Sequence, residues 1–133
     1  NWFEHIMQQR EKQTNWLSEL IIENSKGLQI NILGKSFKAE SNLTLGSPAL
    51  LLENFLKEKN IDVNIWDPIV DGNFDKFNKK YLWDQKSQLF FIATKHDDFN
   101  NFPFFPGSIV IDPWRYVSVN PDIKLIRVGD SKK

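Results

Sequence analysis

The chain has 133 residues, 41% of them hydrophobic and including 11 Phe and 5 Trp. It is therefore large and apolar enough to bury a core as one domain, which excludes a disordered or low-complexity polypeptide. Its 17 basic and 17 acidic side chains cancel, so a broad electrostatic footprint for nucleic acid is not expected and any anion site has to be local. The absence of cysteine removes disulfides, thiolate metal sites and Cys nucleophiles, and His5 and His96, the two histidines, are too far apart in the chain to suggest a metal site or a Ser-His-Asp triad.

The first 27 residues read as one long helix. Phe3, Ile6, Met7, Leu17, Leu20 and Ile21 keep helical spacing, while Arg10, Gln13 and Thr14 interrupt the stripe, so part of this face is expected to want a partner. Gly27 suits the left-handed position that closes such a helix. The chain begins Asn1-Trp2-Phe3, already within the helical pattern and without Met, as expected of a fragment.

Ile30 and Ile32-Leu33 form a short strand-like run that Gly34 breaks. The next helix runs from Pro48 to about Lys59, with Ser47 able to cap it and Pro48 placed where a missing N–H costs nothing. Ala49, Leu52, Phe55 and Leu56 lie on its apolar side, and Asn60 can take the positive φ that ends it. Lys35 to Gly46 are left as a loop, far longer than the roughly 2–6 residues usual in α/β units, and such long loops tend to carry function.

Val63 and Ile65 alternate as a second strand that ends at Pro68. Phe74, Phe77 and Tyr81 share one face of a helical or irregular segment reaching Trp83. Leu89 to Ala93 is uninterruptedly apolar, as in a strand covered on both faces of a parallel sheet. After an aromatic and proline-rich loop over Asn100 to Pro106, Ser108 to Ile111 predicts another buried strand and Lys124 to Val128 an edge strand. Strands alternating with crossovers predict a Rossmann-like α/β fold, a three-layer sandwich with a mainly parallel sheet of about five to six strands, preceded by the long helix. No apolar run approaches the roughly 18 residues of a membrane helix, and nothing resembles a signal peptide, so a cytoplasmic protein without membrane contacts is expected.

Several of these landmarks together resemble a known family. Gly34, Phe37-Lys38, Ser47-Pro48-Ala49 and Val63 to Asp67-Pro68 are similar to the opening of the C-terminal, UDP-binding domain of the UDP-glucose/GDP-mannose dehydrogenases, roughly G-x-x-F-K-x-x-T-D-D-x-R-x-S-P-A, then a helix, then V-x-x-x-D-P. Ala93 to Phe99 resembles the family's T-x-H-D-x-F segment, and Ile109 to Asp112 its hydrophobic strand ending in Asp. The resemblance covers roughly Leu28 to Arg115, in the right order.

It implies that residues 1–27 are the tail of a central dimerisation helix and 28–133 a nucleotide-sugar-binding domain. The parent would be an NAD-dependent UDP-sugar 6-dehydrogenase, oxidising a UDP-hexose to a UDP-uronic acid as a homodimer or higher oligomer. NAD would be held mainly by an N-terminal domain, and the fragment alone, without that domain and the catalytic Cys motif, is expected to be inactive.

By position, Phe37 and Lys38 inherit contacts to the nucleotide sugar, and Arg115 the corresponding role of the family's D-G-R-N arginine. In that alignment Trp114 falls on the arginine without a gap and Arg115 with a one-residue slip. Taken without the resemblance, Lys38 is a solvated loop lysine, and Arg115 a surface arginine packed over Trp114. Leu43 and Leu45 stand where the family usually has Asp and Arg. The arginine reaches the nicotinamide cofactor's phosphates, a contact leucine cannot make. A divergent, non-catalytic interaction or regulatory module is therefore the competing reading, and a flavodoxin-like carrier a third that lacks an acidic cluster or a flavin-phosphate loop.

Three further features have simpler local explanations. Asp67 reads as a turn cap before Pro68, since no G-x-G-x-x-G precedes it. His96, with Asp97 and Asp98, reads as a helix cap, and the Phe99, Phe102, Phe104, Phe105 cluster as packing, because the basic interleaving of a single-strand binder is missing.

Overall fold

The structure, a computed structural model, describes residues 15–35, 48–94, 96–113 and 116–127. Helix α1 is described over residues 15–25, and residues 1–14 of the expected dimerisation helix lie outside the described residues. Then follow β1 (Ile30–Leu33), α2 (Pro48–Glu58), β2 (Val63–Trp66), α3 (Phe74–Tyr81), β3 (Leu89–Ile92), a 3-10 turn (Asp97–Asn101), β4 (Ile109–Ile111) and β5 (Lys124–Ile126). The five strands pair in the order β2-β1-β3-β4-β5, and every pair is parallel.

Alternation along each strand builds two cores. Leu89 and Phe91 point with Ile30, Ile32, Val63, Ile109 and Ile111 to a face covered by Ile21 of α1 and by Ala49, Leu52 and Leu56 of α2. Phe90 and Ile92 point the other way with Leu33, Trp66 and Val110, where Trp83, Phe99, Phe102, Val117 and Ile123 cover them. The layers are helix, sheet, then α3 with an aromatic layer, so the expected three-layer arrangement holds with five strands. β3 is buried at all four positions, as its apolar run predicts, because it has a neighbouring strand on each side and a core on each face.

The second layer is aromatic because little helix is available there. α3 is eight residues long and fully buries none of its side chains. It opens on Asn73 (φ 44°), whose side chain accepts from Lys76 N–H, and closes on Leu82 (φ 57°). That left-handed residue turns the chain so that Trp83, fully buried, drops between Trp66 at 5.4 Å and Phe102 at 5.2 Å, centroid to centroid. Phe102 meets Phe90 at 5.3 Å and Phe104 at 4.9 Å. Phe99, Phe102 and Phe104 therefore pack on the sheet, as expected, at separations where tilted and edge contacts between rings are favourable.

One polar residue sits inside this core. Asn31, in the middle of β1, is 1% exposed and faces the aromatic layer. Its Nδ2 donates to Gln88 Oε1 at 2.8 Å and its Oδ1 accepts from Trp83 Nε1 at 2.9 Å and Asn64 Nδ2 at 3.1 Å. Gln88 Nε2 in turn donates to Tyr81 O at 2.8 Å. Each group has a partner, which is the condition for burying it at little cost. Among the described residues no helix is long and apolar enough to cross a membrane.

Candidate functional site

The sheet order reverses direction between β1 and β3. The connection after β1 leads to α2 on one face, and the connection after β3 crosses the aromatic face. Open α/β sheets take their ligands in the crevice outside the carboxyl ends of strands at such a switch point. Here Gly34 and Thr94 meet across it. Gly34 has φ 108°, and a Cβ built on it would lie 2.6 Å from both Thr94 Cβ and Oγ1 and 2.9 Å from Thr94 N. The two strand ends are as close as a glycine allows.

The rim of β1 and β2 is fixed by carboxylates. Gly34 N–H donates to Trp66 O at 2.7 Å, and Lys35 N–H donates to Asp67 Oδ2 at 2.7 Å. The other Asp67 oxygen accepts Ile69 N–H at 2.7 Å and Val70 N–H at 3.1 Å, while Asp71 Oδ2 accepts Asp67 N–H at 3.0 Å. Asp67 is 1% exposed and caps its turn, as the sequence suggests; it is engaged with backbone rather than presented to a ribose. Lys35 Nζ pairs with Asp71 at 2.9 Å, so its charge is matched within the rim. The turn leaves Ile69 and Val70 exposed.

The rim of β3 and β4 is fixed in the same manner. Asp112, fully buried at the end of β4, accepts through Oδ2 from Tyr116 N–H and Val117 N–H, both at 2.8 Å. The Tyr116 hydroxyl donates to His96 O at 2.5 Å and accepts from His96 N–H at 2.9 Å, tying the segment after β4 to the segment after β3. Burial, opposed in part by the hydrogen bond to His96 backbone and reinforced by the carboxylates of Asp112, Asp97 and Asp98, pushes the Tyr116 pKa up to about 12. The phenol therefore stays protonated and remains a donor.

His96 caps the 3-10 turn, as expected: its Nδ1 accepts from Asp98 N–H at 3.1 Å. The imidazole is 7% exposed and packs on Phe99 at 5.6 Å between centroids. Its Nε2 is buried and, among the described residues, has no hydrogen-bond partner.

Phe37, Lys38 and Arg115, the residues the sequence singles out for the nucleotide sugar, all lie outside the described residues. What the structure defines is the attachment of their segments. Phe37 and Lys38 follow Lys35, held to Asp67, and precede Pro48, the first residue of α2. Arg115 lies between Asp112 and Tyr116, which are bonded to each other. Among the described residues no three His, Asp or Glu side chains gather as a metal site. Sequence reasoning missed the Lys35–Asp71 pair and the Tyr116 latch. Their partners are 36 and 20 residues apart and meet only through the strand register.

No protein-family model matches the sequence, and no curated protein matches it. Solved structures do match. The UDP-N-acetyl-mannosamine dehydrogenase of Staphylococcus aureus superposes with a TM-score of 0.68 at 20% identity, over 88% of this chain and 31% of that one. The GDP-mannose dehydrogenase of Pseudomonas aeruginosa gives 0.66 at 17% identity over 90% and 32%. The UDP-glucose dehydrogenase of the archaeon Pyrobaculum islandicum gives 0.63 at 20% identity over 90% and 29%. The chain thus spans about 30% of the length of these enzymes and has the fold of that portion. The resemblance read from the sequence is met in the fold.

Proposed function

We propose that this chain is the nucleotide-sugar-binding domain of an NAD-dependent UDP-sugar 6-dehydrogenase, and that its carboxyl-edge crevice takes the UDP moiety. One observation carries the reading. The landmarks of the sequence resemblance fall on one edge of the sheet: Gly34 after β1, Asp67 after β2, Thr94 and His96 after β3, Asp112 after β4. They are separated in sequence, yet they frame the place where this class of sheet takes a ligand. The fold shared with three nucleotide-sugar dehydrogenases supports the same reading.

Within it, Phe37 and Lys38 contact the nucleotide sugar from the β1–α2 connection and Arg115 from the β4–β5 connection. The parent enzyme, a cytoplasmic homodimer or higher oligomer, oxidises a UDP-hexose to a UDP-uronic acid. NAD belongs mainly to its other domain. This edge does not fit the cofactor's phosphates, because Leu45 replaces the arginine and the nearby Lys35 ammonium is paired with Asp71. The chain alone is then inactive as a dehydrogenase. Leu43 and Leu45 equally favour the second reading, a non-catalytic module that keeps the fold for interaction or regulation.

UDP binding separates the two. In an NMR titration, UDP is expected to shift resonances of residues 35–46, and Lys38→Ala to weaken binding about tenfold to a hundredfold without changing the fold, the worth of one charge-assisted hydrogen bond. Silence over residues 35–46 at millimolar UDP, with the domain folded, would overturn the binding reading and favour the module.

A further inference from the structure

We propose that His96 is a ligand-reading donor of this crevice, offering Nε2–H to an oxygen of the bound nucleotide, phosphate or carbonyl; the inference rests on the UDP-binding reading above.

The tautomer follows from the hydrogen bonds. Nδ1 accepts Asp98 N–H, so in the neutral imidazole the proton sits on Nε2, on the opposite side of the ring. That N–H is buried and, among the described residues, unpartnered. Buried donors without a partner are rare in folded proteins, because each loses its water without compensation. Nδ1 alone explains the capping, for which Asn, Ser or Asp would serve as well. The remaining half of the ring is what capping leaves unexplained.

The ring is also held more firmly than a cap needs. Phe99 packs on it, and the Tyr116 hydroxyl bonds both the N–H and the C=O of His96, fixing the backbone from which the ring projects. Tyr116 is itself anchored through its own N–H to the buried Asp112. The position is two residues beyond Thr94, which touches the space above Gly34 at the switch point. A donor fixed in tautomer and orientation, desolvated, and set at the ligand edge of the sheet is the arrangement that gives a polar contact its greatest selectivity.

Two substitutions divide the ring in half. Asn reproduces the Nδ1 acceptor and lacks Nε2–H; Gln reproduces an N–H near Nε2 and lacks the Nδ1 acceptor. His96→Asn is expected to keep its thermal stability near wild type and lose about tenfold or more in UDP affinity, whereas His96→Gln loses stability but binds UDP more tightly than His96→Asn does. Nitrogen-15 spectra of the histidines give a readout that does not depend on affinity. Free protein should show the Nε2–H tautomer at His96, and UDP or inorganic phosphate should move that proton downfield. If residues 35–46 respond to UDP while Nε2–H does not, or if His96→Asn binds UDP like wild type, the proposal fails. If no resonance responds to either probe, both this proposal and the UDP reading fall.

Discussion

Gly34→Ala tests the geometry on which the crevice depends. The new methyl group would lie 2.6 Å from Thr94 Cβ and Oγ1 and 2.9 Å from Thr94 N. Two of these are a Cβ and a backbone atom, which cannot swing aside as the tip of a long side chain could. Overpacking of this kind costs about 1–3 kcal/mol. The backbone adds its own part, since φ 108° is a conformation that L side chains rarely adopt, worth about 1–3 kcal/mol. The sum, about 2–6 kcal/mol, is a large share of the roughly 5–15 kcal/mol that holds a domain folded. A loss on the order of 10–20 °C in Tm is expected. Urea unfolding followed by circular dichroism measures it. A double-mutant cycle with Thr94→Gly divides the total, because removing Cβ and Oγ1 relieves the two 2.6 Å contacts but neither the 2.9 Å contact to Thr94 N nor the φ strain; a coupling of about 1–3 kcal/mol is expected. A Gly34→Ala protein within 1 kcal/mol of wild type, or a coupling near zero, would refute the close approach of β1 and β3.

Asn31→Ala should destabilise by about 3–5 kcal/mol in the same assay, because it orphans Trp83 Nε1–H and removes the partner of Gln88 and Asn64 inside the aromatic layer; a loss below 1 kcal/mol would mean water reaches the network. Tyr116 gives a pH signature. Its folded pKa is raised from 10.0 to about 12, so below pH 10 both states hold the proton and it adds no slope. Between pH 10 and 12 the unfolded chain ionises first and stability falls. Tyr116→Phe should lack that part of the alkaline decline, and equal slopes for the two proteins would contradict the latch. Deleting residues 1–13 should leave a cooperative thermal transition, since the described part of α1 keeps Ser18 and Ile21 fully buried; loss of cooperativity would make the earlier turns part of the core.

The elements were legible because their signals are local. Gly27 at φ 88° and Asn60 at φ 62° close their helices as their residue types suggest, and the apolar run of β3 reports burial on both faces. Asn31 was not legible. Within Ile30–Leu33 it reads as the solvent side of an alternating strand, and only the sheet order, which places β1 between β2 and β3 under α3, makes that side an interior. Trp66 is similar: alternation of Val63 and Ile65 marks one face of β2, while the indole is buried on the other because Phe74, Trp83, Phe99 and Phe102 gather over it. At the site, the capping roles of Asp67 and His96 could be read from their neighbours in sequence. The pairing of Lys35 with Asp71, and the lack of a partner for His96 Nε2 among the described residues, depend on contacts that sequence spacing does not encode.

The strand ends that frame the crevice are held to one another chiefly through main-chain contacts. Among the described residues, Gly34 yields space to Thr94, Asp67 binds three backbone N–H groups, Asp112 binds two, and Tyr116 binds a backbone N–H and C=O. These contacts fix the strand ends relative to one another through main chain, so they demand a few residue types and leave the connections between them free to change. Buried carboxylates bonded this way are costly to replace, because losing one strands several N–H groups at once. Leu43 and Leu45, in the β1–α2 connection, are where the sequence departs from the dehydrogenase pattern. Lys35, Asp67, Asp71 and Asp112 are engaged within the frame, so under the proposed UDP-binding reading charge recognition of a diphosphate would fall to other residues. Lys38 and Arg115 are the cations the resemblance assigns to that role, which is why Lys38→Ala is expected to change binding and leave the fold intact.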